Sequence, residues 1–269
     1  MSCDRDSVGL TPVAQRPFEL GARGDALSLE GRVALVTGAS GGLGRAVVAE
    51  LRGRGAAVYG ADIAGEGVFR ADLSTASGNR EMVAHVLESA GRLDILALNA
   101  GTQFLAPLDQ FPDAEWDRLR MVMLDGPFFA LKAAWPALTT SPGGRVVVTA
   151  SPASFGGGNQ KVGYAAAKHG VLGLVRTAAL EGATLGLTVN AIAPGWMDTG
   201  LMRGQVEARA LKAGLTVEEV VAGFRAAQPG DRFIEVAEVA AVVGFLASPA
   251  ASAVNGVCIP IDLGASACA

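Results

Sequence analysis

Tyr164 and Lys168 stand four residues apart in the stretch SPASFGGGNQKVGYAAAKHG, residues 151–170, and Ser151 opens it. On a helix, positions i and i+4 share one face, so the phenol and the ammonium project together. A free tyrosine loses its proton near pH ~10, too high for a base at neutral pH. A neighbouring positive charge favours the phenolate. A tyrosine so placed can take the proton of an alcohol, or return one to an alkoxide. A serine hydroxyl opposite can hold the reacting oxygen by a hydrogen bond. The same residues also fit an ordinary amphipathic helix, so the rest of the chain has to decide.

The elements that must position them follow from the hydrophobic pattern. RVALVTG (32–38) reads as a buried strand, and a helix runs from about Gly42 to Arg54. TGASGGLG (37–44) joins the two. Gly38, Gly42 and Gly44 leave no side chain where the backbone must turn tightly and approach a pyrophosphate, and the helix N-terminus offers free N–H groups to that anion. A glycine turn between a strand and a helix reads as a dinucleotide site. The next strand, AAVYGAD (56–62), ends in Asp62. Its carboxylate can accept from both hydroxyls of an adenosine ribose and repels a 2′-phosphate. No Arg or Lys lies in the glycine turn before Gly44, and none directly follows Asp62. The expected cofactor is therefore NAD rather than NADP. Asp72 and Leu73 end the short GVFRADL run, where an adenine edge would lie. Asn99 ends LDILALNAG (93–101), where it can support the sheet as much as the cofactor.

Further on, residues 81–91 read as a helix and 114–138 as a long helix with a bend at Pro127. GRVVVTAS (144–151) is a strand, and a helix runs from near Val162 to about Thr184. LTVNAIAPG is a strand and turn, 203–227 and 235–247 are helical, and GVCIPID is a last strand. Strands alternating with helices imply a parallel sheet covered on both faces. The expected fold is α/β: a single-domain, Rossmann-type doubly wound sheet of about seven strands. Trp116 and Trp135 read as helix core, and RLR (118–120) as a solvated face.

The chain has 269 residues, half of them hydrophobic, and a net charge of −4. That fits one large domain. The basic residues are scattered, so no nucleic acid is expected as partner. No apolar run reaches the ~18 residues needed to cross a bilayer. Residues 1–28 are charged, broken by Pro and Gly, and lack the apolar core of a signal peptide, so they read as a flexible extension before a domain at 29–269. A cytoplasmic location is expected. Cys3, Cys258 and Cys268 are odd in number and far apart, which argues against a disulfide framework. His85 and His169 have no partner at metal-ligand spacing, so no metal is expected.

Taken together, TGASGGLG, Asp72, NAG (99–101), Ser151, Tyr164-x-x-x-Lys168 and PGWMDT (194–199) resemble the short-chain dehydrogenase/reductase family over about residues 30–264. The resemblance implies hydride transfer between a nicotinamide cofactor and a secondary alcohol or ketone. Ser151, Tyr164 and Lys168 would be catalytic, with Lys168 also holding the nicotinamide ribose. Around the phosphates and adenosine it implies Gly38, Ser40, Gly42, Leu43 and Gly44, then Asp62, Asp72 and Leu73. Toward the nicotinamide it implies Asn99, Gly101, Pro194, Gly195, Met197 and Thr199, with Thr199 near the carboxamide and phosphate. A homo-oligomer, most often a tetramer, is implied as well.

A narrower resemblance, to the D-3-hydroxybutyrate dehydrogenases, rests on NAGTQFLAPLDQFPDAEWD (99–117), AAAKHGVLGLVRTAALEG, GLTVEEV and GDRFIEVAEVAA. It implies that Gln103, Lys161 and Gln205 bind a substrate carboxylate and that Trp196 lines the pocket. An ammonium and amide donors suit a carboxylate; Lys161 also fits a solvated lysine at a helix start. Two positions depart from the pattern. Ala153 stands where the subgroup has His. Met123 stands where the family has an Asn that holds a water between the lysine and solvent. A thioether accepts hydrogen bonds only weakly, so the proton relay must differ or turnover must be slower. Asp125 is two residues away on roughly the opposite helix face, a poor substitute. Leu263 stands where a second Gly is usual. Gly156–Gly158 imply a flexible or widened mouth, and residues near 198–228 a mobile lid. Three readings stay open: a small 3-hydroxy acid as substrate, a larger secondary alcohol or ketone, or an NAD-binding protein with little catalysis.

Overall fold

The computed structural model describes residues 26–268. Seven parallel strands form one sheet: β1 (Val33–Thr37), β2 (Ala57–Asp62), β3 (Phe69–Arg70), β4 (Ile95–Leu98), β5 (Arg145–Thr149), β6 (Thr188–Pro194) and β7 (Cys258–Ile261). Their order is β3-β2-β1-β4-β5-β6-β7. The central strands are buried on both faces, which is why they read as unbroken apolar runs rather than as alternating ones.

Alternate side chains of β1 feed two cores. Val33 and Leu35 pack with Met82, Val83 and Val86 of α2 (Ala76–Ala90), with Ala134 and Leu138 of α4 (Gly126–Thr140) and with Val171 and Val175 of α5 (Val162–Ala183). Ala34 and Val36 pack on the other face with Val47 and Leu51 of α1 (Gly42–Gly53) and with Val239 and Val243 of α8 (Val236–Ala247). The remaining helices are α3 (Asp113–Arg120), α6 (Gly200–Ala213) and α7 (Val217–Ala226). α6 and α7 have a small core of their own, with Met202, Val206, Ala210, Val220 and Phe224 against Trp196 and Phe233.

Several boundaries differ from expectation for identifiable reasons. The long helix over 114–138 is continuous from α3 to α4, but residues Met121–Asp125 form one π turn. The Gly126 N–H donates to Met121 O, five residues back. Pro127 has no N–H to offer the preceding turn, and widening that turn absorbs the defect without a sharp bend. The helical stretch expected over 203–227 is two helices, α6 and α7, because Gly214 takes the left-handed conformation (φ 66°) and ends α6. Trp116 is exposed rather than core, whereas Trp135 packs against the main core. Residues 1–25 of the expected extension, and Cys3, lie outside the described residues. Residues 26–28 belong to the body: Ala26 O accepts from the Ala250 N–H at 3.0 Å.

Candidate active site

The strands all end toward one cleft of about 1250 Å³, between the ends of the central strands and helix α6. A doubly wound sheet opens such a crevice where its strand order reverses. Every residue singled out for cofactor or substrate lines this cleft, from Gly38 and Asp62 at one end to Lys161, Trp196 and Gln205 at the other.

The glycine turn is sterically determined. Gly38 has φ +64°, and a Cβ there would stand 2.9 Å from Ala100 Cα. A Cβ at Gly44 would lie 2.0 Å from Gly38 O, so the helix could not pack on the turn. The residue capping α1 is Gly41, which offers no side-chain cap, so the first N–H groups of the helix face the cleft without a protein partner. Asp62 ties the turn to β2: one carboxylate oxygen accepts from the Ser40 N–H at 2.9 Å and the other from the Ile63 N–H at 2.7 Å. Asn99 donates to Thr37 O at 3.2 Å and Gly38 O at 3.3 Å, so it does hold the strand ends. The Asp72 carboxylate accepts from the N–H and hydroxyl of Ser74.

Ser151 caps the short 3-10 turn Pro152–Ser154, its Oγ accepting from the Ala153 N–H at 3.2 Å. Tyr164 and Lys168 lie on α5, and the Lys168 Nζ is 5.8 Å from the centre of the Tyr164 ring. The ammonium is buried and donates to Thr149 O. Burial pulls it down to about 8, with Cys258 opposing weakly. Burial likewise pushes the Tyr164 phenol up, while the Ser151 hydroxyl draws it down. This corrects the expected electrostatics. The Lys168 Nζ stands 5.8 Å from the ring centre, and in the protein alone burial is the largest influence on both groups, raising the phenol and lowering the ammonium.

Met123 sits in the π turn and is almost fully buried, in a cluster with Leu119 and Ala167 against which Tyr164 packs. Its sulfur lies 3.8 Å from where a Gly101 Cβ would stand. Asp125 is committed to Arg120, so it does not replace the missing polar group. At the far end, the Lys161 Nζ stands 4.5 Å over the Trp196 ring, and burial and then Arg209 lower it. The Gln205 Oε1 is buried and has no hydrogen-bond partner. Gln103 spends its Oε1 on the Phe104 N–H at 3.2 Å. Ala153 and Gly156–Gly158 border the mouth, and nothing lies within 4 Å of a Cβ placed at Gly156 or Gly157.

The arrangement offers a dinucleotide-sized groove leading to a tyrosine, a serine and a lysine. The short chain dehydrogenase family model matches residues 32–210. The chain belongs to the short-chain dehydrogenase family. It is therefore an oxidoreductase acting on CH–OH groups, in a family that uses NAD or NADP. It is 36% identical over 253 residues to a D-beta-hydroxybutyrate dehydrogenase of Cupriavidus necator, covering 88% of this chain and 98% of that protein. The crystal structure of levodione reductase superposes with a TM-score of 0.85 at 34% identity, covering 89% of this chain and 99% of that one. A solved chain from Beutenbergia cavernae, described as an NAD(P)-dependent gluconate 5-dehydrogenase with bound NADP, gives a TM-score of 0.80 at 33% identity, covering 90% and 99%.

Some cleft residues of this short-chain dehydrogenase escaped the sequence pattern. Arg118, read as part of a solvated face, lines the cleft and donates to the Thr102 hydroxyl and Gln103 O. Periodicity reports which face is buried, not where a long guanidinium reaches. Arg45, directly after the glycine turn, and Gln228, between α7 and α8, line it too. The position of Arg45 after Gly44 was a legible signal; Gln228 had none.

Proposed function

We propose that this short-chain dehydrogenase interconverts a secondary alcohol and a ketone with NAD, that Tyr164 is the general acid/base, and that the substrate is a small 3-hydroxy acid such as 3-hydroxybutyrate. The observation that carries this reading is the convergence of Ser151, Tyr164 and Lys161 in one cleft with the uncapped start of α1.

The cleft fits the cofactor on its own terms. The free N–H groups of α1 suit a pyrophosphate, and a Cβ at Gly42 would crowd Thr199 at 3.2 Å, so the passage stays open only for glycine. Asp62 supports NAD, since a second negative charge beside its carboxylate is repelled; Arg45 nearby makes a direct comparison with NADP the proper check. When bound, the nicotinamide supplies the hydride acceptor or donor. Tyr164 takes the proton of the substrate hydroxyl at its phenolic oxygen, and returns it in the reverse direction. Ser151 donates a hydrogen bond to the substrate oxygen. Lys168 holds the ribose side of the cleft and, being buried, adds positive charge at modest distance. Lys161 holds the carboxylate with its ammonium, and Gln205 contributes its Nε2, which in this structure donates to Leu201 O at 3.3 Å. Residues 198–228 act as a lid, supported by the separate small core of α6 and α7. Exposed Phe128 and Leu180 on α4 and α5 fit burial in a homotetramer.

A second reading, a larger secondary alcohol or ketone, is favoured by Ala153 and the open glycines at the mouth. Absorbance at 340 nm with a panel of hydroxy acids and cyclic alcohols, each with NAD and NADP, separates the two. The small-acid reading expects turnover of 3-hydroxybutyrate with NAD and, in Lys161→Ala, a loss of kcat/KM of roughly 10²-fold, the scale of a buried charge-assisted pair. Turnover confined to bulky neutral alcohols contradicts it.

A further inference from the structure

We infer that Gln228 is a positioning residue: it clamps the backbone of Trp196 and so sets the ring against which Lys161 rests. The side chain of Gln228 is buried at 3% exposure and lines the cleft. Its Oε1 accepts from the Trp196 N–H at 3.1 Å, and its Nε2 donates to Trp196 O at 3.2 Å and to Arg232 O at 2.6 Å. One amide edge thus matches the donor and the acceptor of a single residue, as a neighbouring strand does. Both bonds act on the same peptide segment and fix its rotation, not only its position.

The segment needs such a clamp. Gly195 precedes Trp196, and glycine leaves the backbone free to swing. The glycine is itself required by the clamp, because a Cβ there would stand 2.6 Å from the Gln228 Oε1. Two further bonds bracket the loop, Gly195 N–H to Ile261 O and Ile234 N–H to Trp196 O, both at 2.9 Å. The Trp196 ring packs against Phe224 of α7, 4.2 Å between ring centres, and the Lys161 Nζ stands 4.5 Å over it. Trp196 therefore joins three parts: the loop after β6, the paired helices α6 and α7, and the start of α5. Gln228 holds the joint from the end of α7. Releasing it lets the ring turn, and Lys161 loses the aromatic face that orients its ammonium.

The proposal rests on Lys161 anchoring substrate, so its test has one arm that does not. In a Trp116→Phe/Trp135→Phe background, Trp196 is the only tryptophan left of three. Gln228→Met, nearly isosteric and unable to reproduce the paired bonds, is expected to raise acrylamide quenching of Trp196 at least about twofold without any ligand, since an unclamped ring samples solvent. In the otherwise native chain the same variant is expected to raise KM for 3-hydroxybutyrate about 10-fold or more, leaving kcat and KM for NAD within about twofold, the signature of lost binding rather than lost chemistry. Unchanged quenching overturns the proposal. So does a fall in kcat with KM unchanged, which reports only a smaller folded fraction. If Gln228→Met does not fold, Gln228→Glu keeps the acceptor and loses both donors, and its KM is expected to rise at least about threefold; an unaltered KM overturns the proposal. If the parent protein does not turn over 3-hydroxybutyrate, the substrate reading falls, and the quenching arm still decides the role of Gln228.

Discussion

At the scale of single residues, Lys168 carries a large stored cost. It is fully enclosed, and its ammonium is pulled from an ordinary 10.5 to about 8. Between those values the unfolded chain binds a proton that the folded chain does not, so stability contributed at this site rises with pH across that window. Below about pH 8 the whole penalty applies, on the order of 3 kcal/mol. Lys168→Met removes it. Urea unfolding of both proteins without cofactor is expected to show the variant more stable at pH 7, with the gap closing as pH climbs from 8 toward 10. A gap independent of pH would mean that burial does not lower the Lys168 ammonium from its ordinary value. Tyr164 was legible by type and spacing, but its electrostatics were not. Spacing along a helix says that two side chains share a face; it does not say how strongly burial acts on each of them.

At the scale of elements, the π turn decides what surrounds that pair. Pro127 was visible as a perturbation, yet its effect appears in the turn before it, at Met121–Asp125, because the missing hydrogen bond belongs to that turn. The widened turn places Met123 near Gly101, in the cluster against which Tyr164 packs, and makes this corner apolar. Met123→Asn puts an amide and room for water there. Activity is expected to stay or to increase, with a stability loss of about 1–3 kcal/mol for the buried amide. Steady-state rates and thermal melts measure the two separately, and a large loss of kcat at unchanged KM would show that the thioether has its own task in turnover. The central strands were readable because burial on both faces leaves only apolar residues in them. The break between α6 and α7 was not read, since Gly214 is one of many glycines in the sequence and its left-handed turn at the end of α6 shows only in the backbone. Gln228 was out of reach for a different reason: it meets Trp196 across 32 positions of chain, and no local pattern encodes that contact.

At the scale of the whole molecule, one sheet, two faces of helices and one cleft bring together residues from Gly38 to Ser266. Family membership makes the chain an oxidoreductase of a family that binds NAD or NADP, and strand order, cleft and glycine turn fit that cofactor. What the architecture leaves to a few side chains is the proton. The most direct measurement is therefore the rate of NADH formation at 340 nm from 3-hydroxybutyrate and NAD, in the native protein and in Tyr164→Phe, alongside NADH binding followed by fluorescence. Our account predicts a loss of roughly 10³-fold or more in kcat in the variant, with NADH affinity within about twofold, as expected when a general acid/base is removed from an intact groove. A Tyr164→Phe protein that binds NADH normally and keeps more than about a tenth of the native rate would contradict it.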